Sequence, residues 1–112
     1  VPTKELGMPV FIAKVMLQDV TNEKVYDELD KAMADEEGYP YITDKSERNF
    51  ALPPDEYEFD GDFTCTELLN IVKLICATIE KKNGLKKTPI IVVEAKDLAY
   101  ANLEELHDED FA

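Results

Sequence analysis

The order in which apolar spacing changes along this chain constrains its fold more than any other feature. Apolar residues recur at every second position over Val10 to Leu17 and at helical spacing over Val25 to Met33. Two short strand-like runs follow, Tyr39 to Thr43 and Arg48 to Leu52, separated by the polar turn Asp44-Lys45-Ser46-Glu47. A long apolar-rich helical stretch begins after Thr64, and Ile90, Ile91, Val92 and Val93 then stand consecutively. Period two marks a strand and period 3.6 a helix, so the chain reads strand, helix, strand, strand, helix, strand. That split order predicts an α+β fold, a ferredoxin-like β-α-β-β-α-β sandwich with one four-stranded antiparallel sheet and two helices on one face.

The side chains assign faces within this plan. Phe11, Ala13, Val15 and Leu17 fall on one side of the first strand and should meet the helices, leaving Ile12, Lys14 and Met16 on an open face. Asp19 or Thr21 is placed to cap the first helix. Its apolar stripe is Val25, Tyr26, Leu29, Ala32 and Met33, with Asp27 and Lys31 as an i,i+4 pair outside. Gly38 suits a left-handed helix end. Pro53-Pro54 stops the fourth element, since proline donates no ladder hydrogen bond. Tyr57 and Phe59, alternating with acids, read either as a strand extension or as a loop packing its rings inward. Thr64-Cys65-Thr66-Glu67 is a capping-box pattern. The helix behind it carries so many apolar residues (Leu68, Leu69, Ile71, Val72, Ile75, Cys76, Ile79) that deep burial is expected, up to Asn83-Gly84. The last strand, Pro89 to Glu94, is apolar on both faces and predicts cover from both sides.

The expected boundaries are residues 1–8 as a vector remnant and start, with the native start at Met8, then a domain over 9–95. An acidic tail over 96–112 is expected to fray, with at most a short helix over Leu98, Leu103 and Leu106. With 112 residues and 45% hydrophobic content, one core is affordable. The formal net charge is −13, which repels polyanions at long range and disfavours unguided binding to nucleic acid or anionic membranes. Cys65 and Cys76 lie on one helix, at about 1.5 Å rise per residue roughly 16 Å apart, beyond the reach of a disulfide. Cys76 reads as a small core residue, and a cytoplasmic setting is expected. No run approaches the length of a membrane span.

Motifs that carry chemistry are few. Glu56 to Glu67 loosely fits a calcium-loop template, but position 1 is Glu rather than Asp and two prolines occupy the place of an incoming helix. His107 stands in an acidic tail, which leaves nothing to assemble a hydrolase triad from. No cofactor and no metal site is expected. Lys81, Lys82, Lys86 and Lys87 cluster where cations complement a helix C-terminus. Lys14, Lys45 and Arg48 are the other basic candidates for RNA contact, with Tyr39 or Tyr41 as a stacking platform. The acidity also suggests a second class of function. Such a chain could act as a non-enzymatic inhibitor of phage or mobile-element type, binding a basic nucleic-acid-binding protein by presenting carboxylates in place of phosphates. A homodimer through the open sheet face at Ile12 and Met16 is a further expectation.

One set of residues carries a family resemblance over roughly residues 9 to 95. It consists of Val10 to Leu17, the helix ending Ala32-Met33 before Gly38-Tyr39, and Phe50-Ala51-Leu52-Pro53 with Glu56-Tyr57 and Gly61. Thr64 to Ala77 and Ile90 to Glu94 complete it. The chain in these respects resembles the GhoS-like type V antitoxins of bacteria and phages. The resemblance implies a ferredoxin-like fold akin to small CRISPR-associated nucleases. It further implies an RNA-binding antitoxin, at most an endoribonuclease, acting on a toxin messenger RNA, with Lys31 added to the RNA-contact candidates. By the same resemblance the family's first-helix arginine falls on Asp30, a reversal of charge, and a catalytic aspartate after the first strand would be Asp19.

Overall fold

A computed structural model describes residues 9–111; the expected start at residues 1–8 lies outside them. The first strand, β1 (Val10–Val15), follows its alternation: Phe11, Ala13 and Val15 are fully buried, while Lys14 is exposed. Helix α1 (Lys24–Asp35) buries Val25, Leu29 and Met33, one residue per turn; Tyr26, expected in the stripe, is exposed. A hairpin follows, β2 (Tyr41–Thr43) and β3 (Asn49–Ala51), and then β4 (Glu56–Asp60). Helix α2 (Cys65–Asn83) buries Leu68, Val72, Cys76 and Ile79. The chain closes with β5 (Ile90–Ala95), β6 (Glu105–Leu106) and a 3-10 turn over Asp108–Phe111.

The strands form two three-stranded antiparallel sheets, β4-β1-β5 and β2-β3-β6, and not the expected single four-stranded sheet. The α+β class holds; the sheet arrangement is corrected. The neighbour of β1 is the acid-aromatic segment after the prolines: Phe11 stands opposite Phe59 and Ala13 opposite Tyr57. Tyr57 and Phe59 bury two aromatic rings against the helices, more apolar area than Arg48 to Leu52 offers on one face. Pro53-Pro54 interrupts the ladder between β3 and β4, and Asp55, at φ 71, turns the chain into β4. The hairpin therefore leaves the main sheet, tied to it by an antiparallel bridge between Tyr39 and Glu58. The acidic tail supplies β6, whose Leu106 and Glu105 pair with Asn49 and Phe50.

Both helices share one core with the inward face of the main sheet, uniting Phe11, Val15, Leu29, Met33, Phe59 and Val72. Cys76 belongs to it, 1% exposed, its thiol pushed up to about 11 by burial and then by the charge of Glu80. At the end of α1 the left-handed residue is Glu37, at φ 63, rather than Gly38. Gly38 donates its N–H to Met33 O at 2.8 Å, and it is needed for another reason: a Cβ there would overlap the Phe59 ring. The hairpin turn is as read from the sequence. Asp44 Oδ1 accepts from Ser46 N (2.8 Å) and Arg48 N (2.9 Å), and Oδ2 accepts from Arg48 Nε (3.0 Å).

Candidate functional site

The residues expected to contact RNA are not brought together. Lys14 points out of β1 on the open face, opposite Glu56 of β4 and Ile91 of β5. Lys31, on the outer side of α1, pairs with Asp35 at 3.5 Å instead of the expected Asp27. Lys45 is exposed at the hairpin tip. Arg48 is held by Asp44 and lies over the Phe50 ring, 5.7 Å from its centroid. Tyr41 packs against rings of its own chain, tilted against Tyr39 at 5.4 Å and edge-on with Phe111 at 5.2 Å, so part of its ring is engaged within the fold. Asp19, the candidate catalytic carboxylate, is an exposed turn residue at φ 55 and pairs with Lys86 at 3.4 Å. It does not cap α1; Asn22 Oδ1 does that, accepting from Lys24 N at 3.1 Å. No group of three metal-ligating side chains occurs among the described residues. The stretch that loosely fits a calcium loop is divided between β4 and the α2 cap, where Glu67 Oε1 accepts from Thr64 N at 2.8 Å.

Asp30 has a defined partner. The Tyr57 hydroxyl donates to Asp30 Oδ1, tying α1 to β4 at the edge of a recess lined by Tyr26, Pro40, Leu52 and Pro53. Burial, and then the charge of Asp30, push the Tyr57 phenol far above its usual range, so the recess presents a neutral phenol and no phenolate nucleophile.

A second concavity is one the sequence did not flag. A groove of about 420 Å³ runs between the outer faces of α1 and α2, over Ala32, Ile71, Leu74 and Ile75. It continues into about 260 Å³ toward Glu28, Lys31 and Lys82. Small Ala32 lets the floor sink, and Leu74 stands 72% exposed beside it. The Thr78 hydroxyl donates to Leu74 O at 3.0 Å, so that polar group is satisfied within its own helix. The two ends differ in charge. At one, Lys82 and Lys31 neutralise Glu28 and Asp35. At the other stands Glu36 on the groove wall, followed in the chain by Glu37, and the last turn of α1 holds no basic residue. Carboxylates there face the negative pole of the helix dipole, each costing about 0.3–1 kcal/mol. The readable signal was the excess width of the α2 apolar face: Ile71 and Ile75, counted as evidence of deep burial, are only half-buried and line the open groove.

On the open face of the main sheet, Met16, Ile91 and Val93 are 45%, 60% and 47% exposed, with half-buried Ile12 among them. Cover on both faces of β5, expected from its continuous apolar run, is present on the helix side only among the described residues. No helix among the described residues is long and apolar enough to cross a membrane. Comparison with protein-family models, with curated proteins and with solved structures finds no match to this chain.

Proposed function

We propose that this protein is a non-enzymatic, acidic interaction module that holds an amphipathic, basic helical segment of a partner protein in the groove between α1 and α2. The observation that carries the reading is the joining of an apolar floor to an acidic mouth at the end of α1. The floor suits leucine-like side chains at helical spacing. The mouth suits arginine or lysine, which would relieve the unfavourable stacking of carboxylates at the helix C-terminus. The formal charge of −13 adds long-range attraction for a basic partner of the nucleic-acid-binding kind, and the cytoplasm is the compartment proposed with it. The RNA-binding antitoxin reading has less support, because its basic candidates are spread over β1, α1 and the hairpin, and Lys31 and Arg48 are ion-paired.

The test is titration of a synthetic amphipathic peptide, with leucines at i, i+4 and i+7 and arginines at one end, followed by anisotropy. Binding should weaken with salt and be lost in Leu74→Lys, while an acidic peptide of the same apolar pattern should not bind. Absence of peptide binding at low salt, together with salt-sensitive binding or cleavage of RNA, would reverse the assignment.

A further inference from the structure

We propose that β5 is a dimerisation edge, on which β5 of a second copy adds antiparallel to give a continuous six-stranded sheet, β4-β1-β5-β5-β1-β4. In the sheet order β4-β1-β5, one side of β5 pairs with β1 and the other is, among the described residues, the sheet's edge. Monomeric proteins blunt such edges with lysine, proline, bulges or very short strands. Ile90–Ala95 has six residues, four of them Ile or Val, with no lysine or proline and a single charge, Glu94.

Three features identify a second copy as the occupant. First, the ends of the strand are complementary in charge. Lys87 precedes β5, and Glu94 and Asp97 close it, all exposed; Lys86 is held by Asp19, and Lys96 stands between the two acids. Antiparallel pairing of two copies brings the basic end of each strand to the acidic end of the other. Second, a two-fold axis at Val92 is self-consistent. It sets Ile91 of one copy opposite Val93 of the other, joining exposed apolar side chains into one stripe on the open face. The two Glu94 carboxylates then lie about 13 Å apart along the strands, beyond the roughly 10 Å screening length at 0.1 M salt. Third, a recess of about 230 Å³ flanks the edge on the helix side, between Cys65 and Leu69 of α2 and Ile90 and Val92 of β5. The partner's Val92 and Ile90 point to that side and fill it. This surface is separate from the α1–α2 groove, so the inference stands independently of the proposed function.

Light scattering and sedimentation of the full chain, from micromolar to millimolar concentration, should show a species of twice 12.7 kDa. The double variant Ile91→Lys/Val93→Lys sets each new ammonium opposite another and should be monomeric throughout. Both positions are outward and exposed, so its circular dichroism should match that of the parent. Lys87→Glu should weaken the dimer, and Lys87→Glu/Asp97→Lys should restore it. In a Cys65→Ser background, Val92→Cys lies on the axis and should form a disulfide-linked dimer under mild oxidation. A parent that stays monomeric over the whole range overturns the proposal. So does a dimer that survives Ile91→Lys/Val93→Lys but is lost in Met16→Lys, which would locate the contact on the sheet face.

Discussion

The two helices share one core and one face of one sheet, but their ends differ in capping and in charge. Helix α2 opens on a full capping box, with Thr64 Oγ1 accepting from Glu67 N at 3.1 Å and the Glu67 carboxylate returning the bond. It closes on Gly84 in the left-handed conformation, with Lys81 and Lys82 in its last turn. The capping box serves two N–H groups at its start, and Gly84 and Leu85 both donate to Glu80 O at its end. Helix α1 starts at Glu23 without a side-chain cap bond from that residue, and it ends in Asp35, Glu36 and Glu37 with no cation in the last turn. One helix is stabilised by its own ends, and the other depends on its buried stripe, on the Tyr57–Asp30 bond and on the fit of Gly38 against Phe59. The weaker helix lies beside the open groove. Poor intrinsic electrostatics and an exposed apolar floor occur at the same place, as the proposed binding surface would require.

Substitutions can break or sharpen this contrast. The largest effect is expected at the junction that anchors α1. Gly38→Ala forces a methyl group into the Phe59 ring and should lower stability by about 3 kcal/mol, read as a shift of the urea midpoint. If α1 were held by its end charges, this change would matter little. Next come the caps. Thr64→Ala should cost about 1 kcal/mol, and Asn22→Ala, which removes a single 3.1 Å bond, about half of that. Equal losses at the two sites would erase the distinction between the helices. Smaller still is the charge effect. Glu36→Lys should stabilise the free protein by about 0.5 kcal/mol while weakening capture of the basic peptide, so that thermal stability and affinity move in opposite directions.

The hairpin provides the reference for a carboxylate that is fully used. The Arg48 N–H, helped by Ser46 N–H and the Arg48 side chain, holds Asp44 below its ordinary 3.8. A depressed folded-state value means that the stabilisation is present above 3.8 and is lost as pH falls through the lower, folded-state value. Asp44→Asn should flatten the acid limb of the β2–β3 signals in an NMR titration, while leaving the amides of α1 unchanged.

Much of the interior could be read from spacing. The inward face of β1, the Val25, Leu29 and Met33 stripe and the Thr64–Glu67 cap all follow from local periodicity or local hydrogen-bond chemistry, and each is found as expected. What escaped was long-range choice. Whether Arg48 to Leu52 or Glu56 to Asp60 lies beside β1 is settled by competition for the Phe11 and Ala13 surface, and no local pattern records that competition. A strand as short as Glu105–Leu106 has no period at all. The site was harder still. Lys14, Lys31, Lys45 and Arg48 are legible as charges, but their mutual distances and their partners are properties of the fold. The groove left one trace, a helix more widely apolar than one core face can use, and that excess reads equally well as burial.

The central position of β1 has a consequence for synthesis. It is made before both of its partners, since β4 and β5 come from the middle and the late part of the chain. At about 5–20 residues per second, several seconds separate the emergence of Phe11, Ala13 and Val15 from that of Val92 and Val93. Until β4 follows, this apolar strand has no ladder to join, and its other edge waits for β5. The main sheet can therefore grow outward from its middle strand, first to β4 and last to β5.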